Sequence, residues 1–460
     1  MSPLRNVLVI GGGISGLACA YRLKRLGIDV TLFESADRAG GLVGTVQKDG
    51  FLFESGPQSF QGTPVLLDLI RELGIESELL QANPRAPRYV LRSGRLQLLP
   101  MSPPALFTSF LLGLGSRWKI LSEPLRHTSP PDHEESVAEF ARRKFGREIF
   151  EYLVSPFVSG VYAGDPEKLS LSAAFPALDE WERKYGSILR GAIKSRPAKG
   201  ERTGMPPQCS FRRGLATLMD ALAKNLSDVL HIGVCVKNVN HTERADSKEF
   251  EVRLVCKGRD ETIAASAVVL ATPAYVAAQL VGPLCASLAQ SLSSMPYAPV
   301  AVVAAGYDAK QFTQPPNGFG FLIPRTENLR TLGTVWNSSL FPGTAPDGCV
   351  AITSFAGGAT DEEIVAKPDE EIARIVNGED ARVMGFTGEP RVSAVWKHAK
   401  ALPQYNLGHS RILEKLHTAE REIPGLFFSG NYLDGPAIGK CVEQAFRTAD
   451  VVHKYLQSRA

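Results

Sequence analysis

The sequence has few of the features that mark a metalloprotein, a secreted disulfide protein or a nucleic-acid-binding protein. Its 51 Lys and Arg nearly balance its 48 Asp and Glu, and a net charge of +3 over 460 residues does not predict nucleic-acid binding. The seven cysteines are scattered without a C-x-x-C pair, which predicts reduced thiols. The eight histidines do not pair with one another or with cysteines at metal-ligand spacing, and no secretory leader follows Met1. We therefore expect a cytoplasmic protein without a metal site.

One uncharged stretch in the first third of the chain is too interrupted to cross a membrane. It holds 21 residues between Arg95 and Arg117, and three prolines break its first half. This predicts an apolar helix of about three turns over residues 104–115, whereas a bilayer requires about 20 apolar residues. Because Trp118 and Lys119 follow directly, the helix is expected either to lie in a membrane interface or to be buried in the core.

The first fifty residues have the pattern of a nucleotide-binding strand-helix-strand unit. An apolar strand over 6–10 leads into the frame G-x-G-x-x-G, a helix over 17–26 and a second strand over 29–33 that ends at Glu34. The three glycines of the frame are Gly11, Gly13 and Gly16. Glycines here let the backbone approach a pyrophosphate at the helix N-terminus, and the acid accepts hydrogen bonds from ribose hydroxyls. The spacing therefore predicts a dinucleotide site.

Two later parts of the chain are predicted to rejoin this unit. The first begins with a helix over 212–226 and continues with four strands, at 231–236, 250–256, 262–264 and 268–271. The second is an apolar strand over 425–430, followed by a helix that begins near Gly435–Gly439 and runs towards Tyr455. The nucleotide-binding unit is therefore expected to be discontinuous.

The segment after Glu34 gives the first resemblance to a known family. It carries an R-x-G-G run from Arg38 to Gly41, and this opening resembles the flavin amine oxidase superfamily of FAD proteins. Five further runs resemble its protoporphyrinogen oxidase branch, which includes bacterial coproporphyrinogen III oxidases. They are FLFESGPQSF (51–60), SGVYAGDPEKLSLSAAFPAL (159–178), NGFGFLIP (317–324), LPQYNLGH (402–409) and GPAIGKCVEQ (435–444).

The resemblance implies an α/β fold in three parts. These are a discontinuous Rossmann-like FAD-binding domain, a mixed-sheet substrate domain and a mainly α-helical membrane-associating domain. The implied boundaries are 1–60, 209–290 and 396–460 for the FAD-binding domain, 61–92 and 291–395 for the substrate domain, and 93–208 for the helical domain. Members of the family commonly rest on one leaflet, so peripheral contact with the cytoplasmic face of a membrane is expected, and a homodimer is left open.

The resemblance also implies which residues bind FAD. They are Gly11, Gly13, Ser15, Gly16, Glu34, Arg38, Gly41, Gly56, Pro57, Val236, Trp396 and Ile438. Val236 would lie near the adenine. The helix that begins near Ile438 would point its N-terminus at the flavin ring, where the partial positive charge favours the reduced flavin. Asn431 replaces an acid of many relatives, but it can still hydrogen-bond the ribityl chain.

For the substrate, the resemblance implies an apolar slot with one cationic anchor. Leu322 and Val335 would pack against one pyrrole ring, Phe355 would stack on another, and Gly160 would keep the slot open. Arg88 would hold a propionate, because a guanidinium can donate to both carboxylate oxygens. Without the family, the apolar residues are equally compatible with an ordinary sheet core, and Arg88 with an exposed position.

A basic segment lies at residues 183–202. Its seven Lys and Arg against one acid, Glu201, give a local charge of +6. Such a segment is compatible with contact to anionic lipid headgroups, with attraction of a carboxylated porphyrin, or with a solvated loop.

The resemblance implies an oxygen-dependent porphyrinogen oxidase of haem biosynthesis. Protoporphyrinogen IX or coproporphyrinogen III would lose hydride from a methylene bridge to FAD, and O2 would become H2O2 over three rounds. No Ser/His/Asp or Cys/His constellation stands out, so no side chain is assigned to catalysis. Two alternatives stay open. One is another flavin oxidoreductase, such as an amine oxidase or a carotenoid desaturase, and the other is a non-catalytic flavoprotein that binds tetrapyrrole.

Overall fold

A five-stranded parallel sheet organises the nucleotide-binding part of the chain. The computed structural model describes residues 6–101, 105, 109–126, 128–195, 206–244 and 247–459. The strands of this sheet lie in the order Leu230–Ile232, Asp29–Glu34, Asn6–Ile10, Ala267–Leu270 and Leu426–Phe428. The two central strands are apolar and buried almost throughout, as expected when helices or strands cover both faces of a parallel sheet.

Helices pack on one face of this sheet, and helices with a three-stranded meander pack on the other. The first layer contains Ile14–Arg25, Pro64–Glu72, Ala216–Asn225 and Ile438–Ser458. The second contains Ala274–Val281, Ala286–Ser293, His409–Glu422 and the meander strands Val234–Arg244, Ser247–Cys256 and Arg259–Ala265. The strand predicted over 231–236 is instead two, because Gly233 adopts φ +69° and redirects the chain into the meander.

A seven-stranded sheet forms the second β layer. Its strands lie in the order Val392–Pro403, Tyr297–Asp308, Cys349–Gly357, Thr331–Val335, Gly320–Leu322, Arg88–Arg92 and Arg95–Leu98. The sheet is mixed, because Gly320–Leu322 and Arg88–Arg92 pair in parallel while the other neighbours are antiparallel. Helix Asp369–Met384 packs on one face.

Short elements connect these layers. The strands are Thr45–Lys48 with Phe51–Glu54, and Phe60–Gln61 and Leu79–Gln81 on either side of Gln208–Phe211. The short helices are Glu76–Glu78, Ala309–Gln311, Arg325–Glu327, Asn337–Leu340 and Glu362–Ala366.

The described part of residues 109–195 is helical, and a buried ion network holds it together. Its helices are Leu114–Leu121, Glu123–Leu125, Val137–Lys144, Arg147–Ile149, the π-helical Phe150–Val154, Ser155–Tyr162, Leu171–Ala174, Pro176–Tyr185 and Ile188–Lys194. Lys144, with 1% of its side chain exposed, donates to Glu182 at 3.0 Å, and Arg143 bonds both Glu135 and Glu182. Although burial alone would raise it, hydrogen bonds from Arg143, Thr128 and Lys144 lower the pKa of Glu182 to about 2.

The predicted apolar helix over 104–115 is wrong for residues 109–113, although Ala105 is helical and Leu114 and Gly115 begin the next helix. Residues 109–113 are not helical, a helix spans Leu114–Leu121, and residues 102–104 and 106–108 lie outside the described ranges. The Ser109 hydroxyl accepts from Leu111 N at 3.1 Å, and Leu111 and Leu112 are buried against Val90 and Ile149. This local bond and the burial of two successive leucines turn the chain inward before a helix can form.

The apolar residues of this segment are therefore divided between core and surface. Phe110, Leu114, Trp118 and Leu125 are 85%, 80%, 69% and 80% exposed, whereas the two leucines at 111 and 112 are buried. We call these four exposed residues the apolar patch. Leu111 and Leu112 thus lie in the core, while contact of the exposed residues with a membrane interface stays a prediction.

The first half of the basic segment is helical and is not a solvated loop. Arg183 and Lys184 end helix Pro176–Tyr185, and Arg190 and Lys194 lie on Ile188–Lys194. Arg196, Lys199 and Arg202 lie outside the described residues. Buried Glu123 accepts from Ser187 Oγ at 2.6 Å and from Ile188 N at 2.8 Å, which ties the basic helix to the turn that carries Leu125 of the apolar patch.

A buried acid behind the seven-stranded sheet predicts a pH-dependent stability. Asp380 accepts from Thr334 Oγ1 at 2.7 Å and Ser354 Oγ at 2.6 Å, and burial raises its pKa to about 7. Because an unfolded aspartic acid titrates near 4, the folded protein holds the extra proton between about pH 4 and 7, and stability falls as pH rises through that window.

Asp380→Asn should remove this slope, so the variant should gain stability relative to the parent protein between pH 5 and pH 8. Each pKa unit corresponds to about 1.4 kcal/mol, so the change should be visible in denaturation midpoints at the two pH values. The exposed Asp347→Asn is the matched control. Equal pH slopes for parent and Asp380→Asn would show that this carboxyl is ionised in the folded protein.

Candidate functional site

The predicted glycine loop has the geometry of a phosphate-binding turn. Gly11 adopts φ +109°, and a Cβ there would lie 2.7 Å from the carbonyl oxygen of Ala271. A Cβ on Gly16 would lie 1.8 Å from Gly11 O, so the turn and the helix Ile14–Arg25 can approach only through glycine. A Cβ on Gly13, by contrast, would meet nothing within 4 Å. This open space at a helix N-terminus is what a pyrophosphate needs.

Glu34 lies at the end of the strand beside this loop. Its Oε2 accepts from Gly12 N at 2.6 Å and its Oε1 from Ala36 N at 2.7 Å. The neighbouring strand pairs Ile232 with Glu34. Val236, four residues later, packs in the same hydrophobic cluster as Phe33. The structure therefore brings the predicted ribose acceptor and the predicted adenine neighbour to one edge of the sheet.

The R-x-G-G segment lies along the glycine loop. Gly40 N donates to Gly12 O at 2.8 Å, and Gly41 lies close enough that a Cβ would be 3.4 Å from Gly13 Cα. The Arg38 guanidinium donates to the carbonyls of Val43 at 3.0 Å and Gly41 at 2.9 Å, so it shapes this loop from within. Arg38 thus has a positioning role that its family motif alone did not indicate.

A second loop closes over this one. A Cβ on Gly56 would be 2.1 Å from Leu42 O, and half-buried Pro57 follows it. Gln58 donates to Gly56 O at 2.9 Å and accepts from Asn337 Nδ2 at 2.8 Å. Asn337 lies two residues after the strand Thr331–Val335, so this amide pair joins the nucleotide loop to the seven-stranded sheet. The sequence analysis missed both amides, because Gln58 was part of a quoted run without an assigned role and Asn337 lies in none of the quoted runs.

The C-terminal helix begins at the same place. Ile438 is its first residue and packs in the cluster that contains Leu17 of the first helix. Cys441, one turn later, is buried beside Ser15, and burial raises the pKa of its thiol to about 12. The turn before the helix is fixed by Tyr405, whose hydroxyl donates to the carbonyl of Asn431.

The predicted substrate residues lie on one face of the seven-stranded sheet. Neighbouring strands place Leu322 opposite Gly333, Gly333 opposite Phe355, Phe355 opposite Val302, and Val302 opposite Trp396. The adjacent row places Arg88 opposite Gly320 and Gly320 opposite Val335. Cross-strand partners share a face of a pleated sheet. We call the face with Arg88, Leu322, Val335, Phe355 and Trp396 the substrate face.

The substrate face is largely apolar and partly exposed. Its five defining residues are all half-buried, whereas Val302 and Thr353 beside them on the face are 1% and 0% exposed. Two positions in these rows are glycines, Gly320 and Gly333, and a Cβ at either would collide with main-chain atoms of the adjoining strand. The row from Leu322 to Trp396 spans four strand spacings, roughly 19 Å, so it can hold two planar ring systems side by side.

Gly160 lies at one end of this face. A Cβ on Gly160 would be 2.4 Å from Leu322 Cδ2, so the helix Ser155–Tyr162 touches the sheet there. On the same side of the helix, Phe157 and Val161 are 46% and 44% exposed. An apolar helix stripe therefore continues the substrate face.

Arg88 is the charged residue among the five that define this face. Its guanidinium lies over the ring of Phe319, 4.8 Å from the centroid, and burial lowers its pKa. The other arginines nearby are paired: Arg92 with Glu148 at 2.9 Å, and Arg325 with Asp165 at 3.7 Å. Among the described residues no carboxylate pairs with Arg88. A half-buried cation with no acid partner can bind an anion.

The described residues show neither a candidate metal cluster nor a membrane-spanning helix. The described residues contain no group of three or more His, Cys, Asp or Glu side chains placed to hold a metal ion. None of the helices in the described ranges combines the length and the apolar run needed to pass through a bilayer.

Comparison with known proteins agrees with this geometry. The family model described as flavin containing amine oxidoreductase matches residues 14–453. The chloroplastic protoporphyrinogen oxidase of Nicotiana tabacum is 34% identical, with 99% of this chain and 86% of that protein covered. The coproporphyrinogen III oxidase of Bacillus subtilis (strain 168) is 31% identical over 99% of both chains.

Solved structures show the same fold. A crystal structure from Exiguobacterium sp. 255-15 superimposes with a TM-score of 0.81 at 24% identity over 99% of both chains. Cyclohexylamine oxidase from Brevibacterium oxydans IH-35A gives a TM-score of 0.69 at 19% identity, over 99% of this chain and all of the other. The fold class expected from the sequence is thereby confirmed. The chain belongs to the flavin-containing amine oxidoreductase family, in the branch that holds the protoporphyrinogen and coproporphyrinogen III oxidases.

Proposed function

We propose that this chain is an FAD-dependent oxidoreductase that oxidises a porphyrinogen to the porphyrin in haem biosynthesis. The two relatives named above are porphyrinogen oxidases, and each aligns with nearly the whole of this chain. The observation that carries the proposal is the substrate face, where a partly exposed apolar surface joins an unpaired arginine to the nucleotide loops. A planar tetrapyrrole with carboxylate side chains matches such a surface.

The residues around the glycine loop fit FAD. The open space at Gly13 would admit the pyrophosphate, and Glu34 would exchange its main-chain contacts for ribose hydroxyls. Trp396 and the loop with Gly56 and Pro57 would border the flavin ring, and the N-terminus of helix Ile438–Ser458 would face it with partial positive charge. When bound, FAD supplies the acceptor for the hydride that leaves the substrate.

The protein's own contribution is positioning and exclusion of water. Arg88 would hold one propionate, while Leu322, Val335 and Phe355 would contact the pyrrole rings. Binding energy from the anchored carboxylate is available to orient the reacting carbon. No side chain therefore needs to accept the hydride. We propose dioxygen as the electron acceptor and hydrogen peroxide as its product.

The function is tested by mixing the purified protein in air with protoporphyrinogen IX and, separately, with coproporphyrinogen III. We expect a yellow protein, growth of porphyrin fluorescence and matched peroxide. A yellow protein that is inert to both porphyrinogens would refute the substrate class while leaving the flavoprotein fold intact. Porphyrin without peroxide would refute dioxygen as the acceptor.

We also propose peripheral membrane contact through the apolar patch. The patch residues Leu114 and Trp118 lie on one short helix, and Leu125 lies beside the basic helix Ile188–Lys194 that Glu123 holds in place. Exposed apolar side chains next to Lys and Arg are the composition of an interfacial surface that prefers anionic lipids. The buried Leu112 of the same segment packs with Val90, which is opposite Leu322 of the substrate face.

Gly13→Val should abolish FAD retention, because its branched side chain would fill the space that the pyrophosphate must enter. The expected result is a colourless protein with an unchanged far-ultraviolet circular dichroism spectrum, since nothing in the protein lies within 4 Å of a Cβ at this position. Gly378→Val is the control, on an exposed helix position with equally open surroundings. A yellow, fully loaded Gly13→Val protein would contradict the nucleotide assignment.

Arg88→Ala should raise the KM for porphyrinogen roughly ten- to a hundredfold, since a charge-assisted hydrogen bond contributes about 1.5–3 kcal/mol. FAD content should not change. The exposed Arg95→Ala, on the adjacent edge strand, is the control, because it removes the same charge at a position that is exposed and is not one of the five residues that define the substrate face. An unaltered KM in Arg88→Ala would remove this residue from the site.

Trp118→Glu combined with Leu125→Glu should reduce sedimentation with vesicles that contain anionic lipid, because two carboxylates would have to enter the headgroup layer. Val451→Glu, at an exposed apolar position on the C-terminal helix, is the control. Equal vesicle binding by the double variant and the parent would exclude the apolar patch as the contact surface.

A further inference from the structure

The substrate face carries a second basic side chain, at the edge opposite Arg88. His398 lies on the edge strand Val392–Pro403, where it pairs with Val300, and it points to the same side as Trp396 two residues earlier. It is the one histidine in the seven strands of this sheet, all of which are described. No family motif quoted above contains it.

One nitrogen of His398 is engaged and the other is not. Nε2 lies 2.7 Å from the main-chain carbonyl oxygen of Ser55, which can only accept a hydrogen bond. This contact therefore requires a proton on Nε2 and leaves Nδ1 with its lone pair in the neutral ring. No described residue hydrogen-bonds Nδ1, and the ring is half-buried.

The partner of His398 places it beside the proposed cofactor site. Ser55 directly precedes Gly56 and Pro57, and its own amide donates to Gly44 O at 2.8 Å, in the loop that lies against the glycine turn. His398 therefore bridges the substrate face and the nucleotide loops. The adjacent row of the face lies two residues along each strand and contains Trp396, Val302 and Phe355.

The charged and titratable groups on the surrounding elements have other partners or face solvent. Glu54 accepts from Thr45 Oγ1 and Leu215 N, Arg38 donates to main-chain carbonyls, Tyr297 accepts from Ala274 N, Lys397 pairs with Asp369, and Lys400 lies over Tyr275. Glu362 and Glu363 are exposed. Among described residues no carboxylate pairs with His398.

We infer that His398 is the proton acceptor of the site, taking the pyrrole N–H proton of the bound porphyrinogen on Nδ1. This inference rests on the proposed function. When hydride leaves the methylene carbon for FAD, the pyrrole N–H bond breaks, its electron pair stays in the ring system, and the proton forms the imidazolium. The imidazolium returns that proton to water after the product leaves. The carbonyl of Ser55 stabilises the cation by accepting from Nε2 throughout.

The test measures the rate of flavin reduction by porphyrinogen in anaerobic single-turnover experiments across pH 5–9. His398→Gln keeps an N–H group that can reach Ser55 O but has no basic nitrogen, and we expect a loss of roughly 10²-fold and disappearance of the acidic limb of the pH profile. Added imidazole should restore part of the rate in His398→Ala. The exposed His417→Gln should match the parent.

A second readout does not depend on activity. The ¹⁵N chemical shifts of the FAD-loaded protein labelled at histidine should show the His398 ring, assigned by its absence in His398→Gln, with the proton on Nε2 and a bare Nδ1 at pH 8. A proton on Nδ1 would overturn the inference even if the variants lose FAD.

The outcomes separate the two proposals. An inert parent protein would refute the porphyrinogen oxidase function. An active parent with a His398→Gln variant of equal rate and pH profile would refute the role of His398 alone. Reduced rate in His398→Gln with an unchanged pH profile and no imidazole rescue would also overturn the inference, and would make His398 a residue that only positions the Ser55 loop.

Discussion

The pleat of the seven-stranded sheet is the constraint on which the site depends. Alternate residues of a strand face opposite sides, so the register between strands decides which side chains share a surface. Arg88, Leu322, Val335, Phe355 and Trp396 come from five different strands, separated by up to 308 positions in the chain. A slip of one residue in any strand would turn its contribution from the substrate face to the helix behind it.

That register is fixed on the reverse face. Thr334 and Ser354, the residues next to Val335 and Phe355, hydrogen-bond buried Asp380, and Glu379 accepts from the amides of Arg330 and Thr331. These polar contacts attach helix Asp369–Met384 to two central strands at a defined position. A buried carboxyl costs stability unless it is hydrogen-bonded, so this one is retained where its bonds also specify alignment. The acid thus contributes to the substrate face without touching it.

The nucleotide-binding strands could be predicted because their signals are local. Apolar β-branched runs at 6–10 and 267–270 are bounded by glycine or by polar residues, and the structure has strands within a residue of those predicted. Close approach at Gly11 and Gly16 likewise follows from one short motif. By contrast, the fate of residues 109–113 depends on Val90 and Ile149, which no local pattern around those residues can reveal. The predicted helix failed for this reason.

The proposed substrate residues were indicated by resemblance and not by periodicity. Their strands read as ordinary core, and the register that joins them involves contacts between distant segments. Two features nonetheless left a local signal that could have been used. Asp380 continues the buried stripe of Ile372 and Val376 at a spacing of four residues, and His398 continues the alternation set by Trp396. In both places a polar residue occupies a position where the pattern calls for an apolar one.

The charge distribution of the substrate face also limits which tetrapyrroles can bind there. Half-buried Arg88 has no acid partner among the described residues, whereas the nearby Arg92 and Arg325 are both paired. A carboxylate that reached the apolar centre without Arg88 would lose its hydration and gain no counterion, which is costly. In the proposed site, a bound porphyrinogen would therefore place one carboxylate at Arg88 and keep every other carboxylate at the solvent edge. Discrimination between porphyrinogens with two and four propionates then depends on the rim of the face, where each added charge must remain in water while the ring stays against Leu322 and Phe355.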